Sequence, residues 1–206
     1  SVEPGFGGQQ YIESVNEKIK EARKLFKNHI IQVDGGINLN TIRKPIALGV
    51  DSFVIGSFLT NNYNKDLYND LLNLNVIKAI EELPKTRNVQ FDEKILQIVE
   101  GGYGEGDNLI GVTVPNIRKC ANVWYKVLDS ENLNHFISSK YHEYRHFACI
   151  VLSNKMKEIL KIKDDNLKKE QAINIFSYLE RNLKYINNWD LTDEISPNVV
   201  GNYMLL

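Results

Sequence analysis

The sequence predicts an α/β segment followed by an all-α segment. Two patterns carry that expectation. Up to about residue 75, short apolar runs that end in glycine alternate with amphipathic stretches; strand, helix and strand joined by short loops make parallel βαβ units. From about residue 90, apolar positions recur at helical spacing with no strand pattern between them.

In the first segment, Val2-Glu3-Pro4-Gly5-Phe6-Gly7-Gly8-Gln9 reads as a glycine-rich loop. Ile12, Val15, Ile19, Ala22 and Phe26 follow at helical spacing. Ile30 to Val33 forms a short apolar strand that ends in Asp34-Gly35-Gly36. A helix is expected from Thr41 to Leu48, stopped by Gly49 and shortened or kinked by Pro45. Ser52 to Ile55 is a second strand, closed by Gly56-Ser57. Glycines at strand ends let backbone N–H groups approach an anion, and helix N-termini add positive potential. Asp34, at a strand end, is placed as an acid, a base or a metal ligand.

The junction is polar at Asn61 to Asn64, then amphipathic and helical from Leu67 to Glu82, and broken again at Leu83 to Asn88. Further helices are expected at Asp92–Val99, from Thr113 with Pro115 in the first turn, at Asn132–Ser138, at His142–Leu160 and at Asn166–Ile186. Ala172, Ile173, Phe176, Leu179, Leu183 and Ile186 are the expected inward face of the last of these, and Pro197 opens one more. Such a succession suggests a helical bundle or an α-solenoid of HEAT type.

The 206 residues suffice for one large domain or two small ones, and 43% hydrophobic with 25% charged residues is ordinary for a soluble protein. A net charge of −1 provides no global basic field. Cys120 and Cys149 read as reduced core residues of a cytoplasmic protein. No apolar run approaches the ~20 residues of a membrane span, and no signal peptide is expected from these residues. The chain starts inside the glycine-rich motif without Met, which suggests that its N-terminus is a cut edge.

His142-Glu143-Tyr144-Arg145-His146 matches H-E-x-x-H, the zinc-protease signature, in which two histidines on one helix face hold zinc and Glu143 would polarise water. A third protein ligand is required; Glu158 and Glu170 are available, but nothing marks either. A helix start with Glu143 and Arg145 in polar contacts accounts for the same residues. In Asn187-Asn188-Trp189-Asp190-Leu191-Thr192-Asp193, Trp189 and Asp193 are four apart and share a helix face. A ring face beside a carboxylate suits a group that becomes cationic. A buried indole with a carboxylate capping the next helix is the simpler alternative.

VEPGFGGQ, VDGGIN and IGS, in this order and spacing, resemble the last third of ribulose-phosphate 3-epimerase over roughly residues 1–65. The resemblance implies the last βα units of a TIM barrel. It implies that Gly5, Phe6, Gly7, Gly8, Gly35, Gly36, Gly56 and Ser57 hold the phosphate of a pentulose 5-phosphate. It also implies that Asp34 is both an acid/base and a ligand of a divalent metal of the Zn, Fe or Mn class, the metal being expected only in a complete barrel. The family's other aspartate and its histidine ligands lie on earlier strands absent from this sequence, so the segment as it stands is expected to be inactive.

Tyr103-Gly-Glu-Gly-Asp107, Gly111-Val-Thr-Val-Pro115-Asn-Ile-Arg118, His142-Glu-Tyr-Arg145 and Asn187-Asn-Trp-Asp-Leu-Thr-Asp193 together resemble the front half of AlkD-type DNA alkylation repair glycosylases. That resemblance implies a HEAT-like solenoid that acts on alkylated double-stranded DNA without a cofactor. Asp193 would be the catalytic carboxylate and Trp189 a wall of the lesion site, with Tyr103 and Arg118 as further DNA-contact candidates. The substrates would be N3- or N7-alkylated purines.

The expected organisation is therefore an epimerase-like part over residues 1–65, a junction over 66–90, and a truncated glycosylase-like domain over 91–206. Whether this chain is an active enzyme stays open at this point. The alternative is a non-catalytic helical-repeat module that binds DNA or protein and carries a vestigial barrel fragment. Acidic and basic residues balance across residues 101–206, where a DNA binder usually shows a basic footprint.

Overall fold

The computed structural model describes residues 1–2, 7–62 and 65–206. The chain forms two compact units, Ser1–Leu72 and Asn73–Leu206.

The first unit contains α1 (Val15–Leu25), β1 (Gln32–Asp34), α2 (Arg43–Ala47), β2 (Ser52–Val54), α3 (Ser57–Asn62) and the start of α4 (Lys65–Glu81). β1 and β2 pair in parallel, with Gln32 opposite Ser52, Val33 opposite Phe53 and Asp34 opposite Val54. Ile19, Val33, Ile37, Ile42 and Val50 are buried. Arg23 holds the connection into β2: its guanidinium donates to the Gly49 carbonyl from Nε (3.0 Å) and pairs with Asp51, whose carboxylate also accepts the Ile31 amide at 2.8 Å. α2 is short because Pro45 provides no amide, and Gly49 at φ +89° ends the segment. Gly36 at φ +67° is required where it stands: a Cβ there would overlap the backbone of Tyr11.

This unit matches the α/β fragment expected from sequence and differs from it in one detail. The described residues form a two-stranded parallel sheet and no closed barrel. Two strands cannot close on themselves, since a barrel needs a full ring of tilted, staggered neighbours. Asn61 and Asn62, expected in a loop, end α3 instead.

The second unit is mostly helical with repeat-like packing. It contains α5 (Val89–Ile95), α6 (Val114–Trp124), α7 (Ser130–Ile137), α8 (His142–Ile159), α9 (Asp165–Arg181) and α10 (Trp189–Ile195). α10 runs on through a π-helical stretch, Ser196–Gly201, into α11 (Asn202–Met204). Local chemistry explains the starts. Asn88 caps α5 by accepting from the Phe91 amide, Asp164 caps α9, and Asp129 forms a reciprocal capping box with Asn132 at α7.

α8 is the centre of the unit, with α6, α7, α9 and α10 packed around it. Every residue from His142 to Ser153 is buried. Its middle is apolar all round, as a fully enclosed helix requires, with Phe147 against Phe136 at 5.1 Å between ring centroids. Its first turn is polar yet equally buried. There Glu143 accepts the backbone amides of Ile110 and Gly111, both at 2.9 Å. The carboxylate is thus committed to closing the loop ahead of α6. It does not polarise water as the protease reading of H-E-x-x-H would require.

The expected inward face of α9 is partly wrong. Ala172 and Leu179 are buried, but Ile173 and Leu183 are 47% and 54% exposed, and Tyr178 faces the core instead. Phe176 packs outside that core, stacked on Tyr203 of α11 at 4.2 Å. The chain leaves α-helical geometry after Arg181, so the 3.6-residue period does not reach Leu183.

Two outcomes follow from this packing, both readable by tryptophan fluorescence in urea because Trp124 and Trp189 lie in the helical unit. Leu179→Ala is expected to lower its stability by ~2–5 kcal/mol, whereas Ile173→Ala costs less than about 1. Glu143→Gln turns one accepting oxygen into a donor facing a backbone amide and is expected to cost ~1–3 kcal/mol.

Candidate functional site

α10 carries three pairs of residues four apart, and each pair faces a different environment. Leu191 and Ile195 enter the core. Asp190 and Glu194 turn towards α8 and α6. Trp189 (47% exposed) and Asp193 face solvent. A helical turn separates members of each pair, so fixing one pair fixes the other two.

The start of α10 is tied down by its own asparagines. Asn188 caps the helix, is buried, and donates from its side chain to the Leu96 carbonyl at 3.0 Å. Asn187 donates to the Tyr103 carbonyl at 2.9 Å. The Tyr103 hydroxyl donates to the Ile95 carbonyl at 3.1 Å, and the Trp189 ring N–H lies 3.5 Å from the same oxygen. The structure therefore brings together Trp189 and Tyr103, two residues singled out from sequence far apart in the chain. Asp193 stands exposed one turn beyond Trp189. Arg118 is brought to the same helix but is paired: its guanidinium donates to Glu194 at 2.7 Å.

Behind this face lies a buried polar cluster. His142 Nε2 is 2.8 Å from Asp190 Oδ2, and its Nδ1 is 3.4 Å from Asp107 Oδ2. Arg145 donates to the same oxygen of Asp107. His146 Nδ1 lies 3.5 Å from Asp190 Oδ2. The other Asp190 oxygen accepts the Leu191 amide at 2.9 Å.

The electrostatics follow from these contacts. Burial opposes the charge on His142, but hydrogen bonds to Asp107 and Asp190 outweigh it and raise its pKa. Burial likewise opposes the charge on Asp190 and on Asp107. Hydrogen bonds from His142, joined at Asp107 by Arg145, prevail and hold both carboxyls below their ordinary range. For His146 burial wins over the nearby Asp190, and its pKa falls to about 4, leaving a neutral imidazole at pH 7.

The cofactor expectation is overturned here. Divalent metal was expected only in the epimerase-like part and no cofactor in the helical domain. Among the described residues, the side chains grouped to hold a metal ion are His142, His146 and Asp190 of the helical unit. Asp34 stands exposed at the end of β1 outside any such group. The reason is geometric: two imidazoles on one helix face meet a carboxylate from a second helix, whereas β1 and β2 supply no comparable convergence.

In the first unit, Asp34 lines a cavity of about 740 Å³ together with Gly7, Gly8, Gly35, Gly36, Gly56 and Ser57. Gly5 and Phe6 lie outside the described residues. Sequence reasoning missed Asp107 and Asp190 as partners of His142. Both sit inside the motifs quoted above, but separations of 35 and 48 residues hide the pairing. No helix among the described residues is long and apolar enough to cross a membrane.

Residues 1–60 match the model of the ribulose-phosphate 3 epimerase family. Over 71 residues the chain is 49% identical to ribulose-phosphate 3-epimerase of Buchnera aphidicola subsp. Baizongia pistaciae, which covers 32% of this chain and 31% of that protein. It is 46% identical over 61 residues to the enzyme of Mycobacterium leprae, covering 28% and 27% of the two chains. Against the Bacillus subtilis enzyme it is 44% identical over 62 residues, covering 28% and 29%. The chain thus spans about three tenths of the length of these curated relatives. No solved structure matches it. Residues 79–206 match the DNA alkylation repair enzyme model. An epimerase-like segment is therefore joined to a DNA-alkylation-repair domain, and because that domain makes up more than half of its length, the chain belongs to the DNA alkylation repair enzyme family.

Proposed function

We propose that the helical domain is a DNA glycosylase that excises N3- or N7-alkylated purines from double-stranded DNA. The observation that carries this reading is the division of labour on α10. Asp190 is drawn inward by two histidines, while Asp193 and Trp189, one turn apart, remain at the surface. An alkylated purine already carries positive charge and leaves readily. Cleavage of its N-glycosidic bond builds oxocarbenium character on the sugar, which a fixed carboxylate stabilises. In this reading Asp193 supplies that carboxylate and positions the attacking water. Trp189 offers its ring face to the cationic base, an interaction worth ~0.5–2 kcal/mol. Tyr103 extends the aromatic surface. Arg118, held by Glu194 with its side chain 42% exposed, directs its remaining N–H groups to a phosphate.

The domain is read as the front half of a HEAT-like solenoid over residues 91–206, preceded by a junction over residues 66–90. Residues 1–65 are read as the last third of an epimerase barrel, whose glycine-lined cavity holds the phosphate of a pentulose 5-phosphate and whose Asp34 would act as an acid/base only in a complete barrel. The buried free thiols of Cys120 and Cys149 suit a reducing cytoplasm.

A second reading, a helical module that binds DNA or protein without catalysis, draws support from the balanced charge of residues 101–206. Release of 7-methylguanine from alkylated duplex DNA separates the two. Under the glycosylase reading Asp193→Asn lowers the release rate by ~10²-fold or more with DNA affinity retained. Trp189→Ala weakens binding of alkylated over unmodified duplex. Duplex binding with no release by the unsubstituted protein establishes the second reading.

A further inference from the structure

We propose that His142, His146 and Asp190 form a binding site for a divalent transition metal of the zinc class, joining α8 to α10. The proposal is independent of the glycosylase reading, because it concerns the buried side of α10 and not the exposed one.

The donor atoms come from two helices. His142 and His146 are four apart on α8, so their rings share one face, and Asp190 reaches that face from the first turn of α10. The three candidate ligand atoms all lie within 4.8 Å of one another. Two donors at zinc bond lengths and a tetrahedral angle sit roughly 3.3 Å apart. The separations from Asp190 Oδ2, 2.8 Å to His142 Nε2 and 3.5 Å to His146 Nδ1, bracket that value. At these two contacts an ion requires adjustments of a few tenths of an ångström and would take the place of the proton between His142 and Asp190; the two imidazole nitrogens, within 4.8 Å of each other, would close on it by side-chain rotation.

The surroundings match what such a site needs. Metal-bound histidines usually donate their other ring N–H to a carboxylate, which fixes the tautomer and raises ligand basicity. Asp107 stands in that position beside His142 Nδ1 and is itself held by Arg145. Asp190 keeps its second oxygen on the Leu191 amide, leaving Oδ2 for the ion. Two imidazoles and one carboxylate select zinc, cobalt or nickel over magnesium or calcium, which prefer all-oxygen shells. Three protein ligands leave a fourth position for water. Glu143, the motif's remaining acidic residue, takes no part, since it holds the Ile110 and Gly111 amides. An ion here would brace the helix that presents Trp189 and Asp193.

The test uses the full chain, stripped with chelator and titrated with zinc alone by calorimetry, with metal content per chain measured after dialysis. One zinc per chain is expected, together with a higher unfolding temperature in zinc than in chelator. His146→Gln and Asp190→Asn should weaken binding by at least tenfold, and Asp107→Asn by ~10–100-fold. The other two histidines of the chain, His29 and His135, are exposed, and His29→Gln with His135→Gln should leave binding unchanged. Should a site variant fail to fold, cobalt added to the unsubstituted chain decides: intense visible absorption of a four-coordinate ion supports the site. Absence of stoichiometric zinc, weak six-coordinate cobalt absorption, or affinity that follows His29 and His135 would overturn it.

Discussion

The contact between His142 and Asp190 is the interaction on which the helical unit's candidate site depends. It is 2.8 Å long, nearly sealed from water, and links the first turn of α8 to the first turn of α10. Buried ionisable groups are costly to strand, so each member of the chain Arg145–Asp107–His142–Asp190 requires the next. The cluster also ties in the glycine-rich loop that ends at Asp107. Three segments far apart in sequence are thereby held in one arrangement.

The rotation of α10 follows from that constraint. Once Asp190 points at the histidines, Glu194 must fall on the same face, where it meets Arg118. Leu191 and Ile195 then reach the core, and Trp189 and Asp193 are left facing outward. Two carboxylates three residues apart thus acquire opposite roles from position alone. One is enclosed and paired; the other is presented beside an aromatic ring. Hydrogen bonds from Asn187 and Asn188 to the Tyr103 and Leu96 carbonyls hold the same turn from the other side.

The epimerase-like unit shows what the same kind of local correctness yields without a complete sheet. Its strands, helices and positive-φ glycines form where local chemistry directs, and its glycines line a cavity with Asp34. Parallel strands ordinarily bury both faces. Here β1 buries Val33 while Gln32 and Asp34 are exposed, and Val54 of β2 is 42% exposed. Among the described residues the glycines line that cavity while the two strands form no closed ring.

Much of this molecule was legible in the residues themselves. Local signals marked the start of α6, where Pro115 lies in the first turn and Thr113 takes the N-cap position without a side-chain bond, the stop at Gly49 after a helix cut short by Pro45, and the turn-wise spacing of Trp189 and Asp193, because ring-locked φ angles and helical periodicity act within a few residues. Sequence could not place Ile173 outside or Tyr178 inside, because which stripe of a helix is buried depends on its neighbours. Nor could it show that Glu143 would serve backbone amides while His142 turned to Asp107 and Asp190. Those partners lie 32 to 48 residues away in the chain, and only the packing of α8 against α10 and the preceding loop brings them within hydrogen-bond reach.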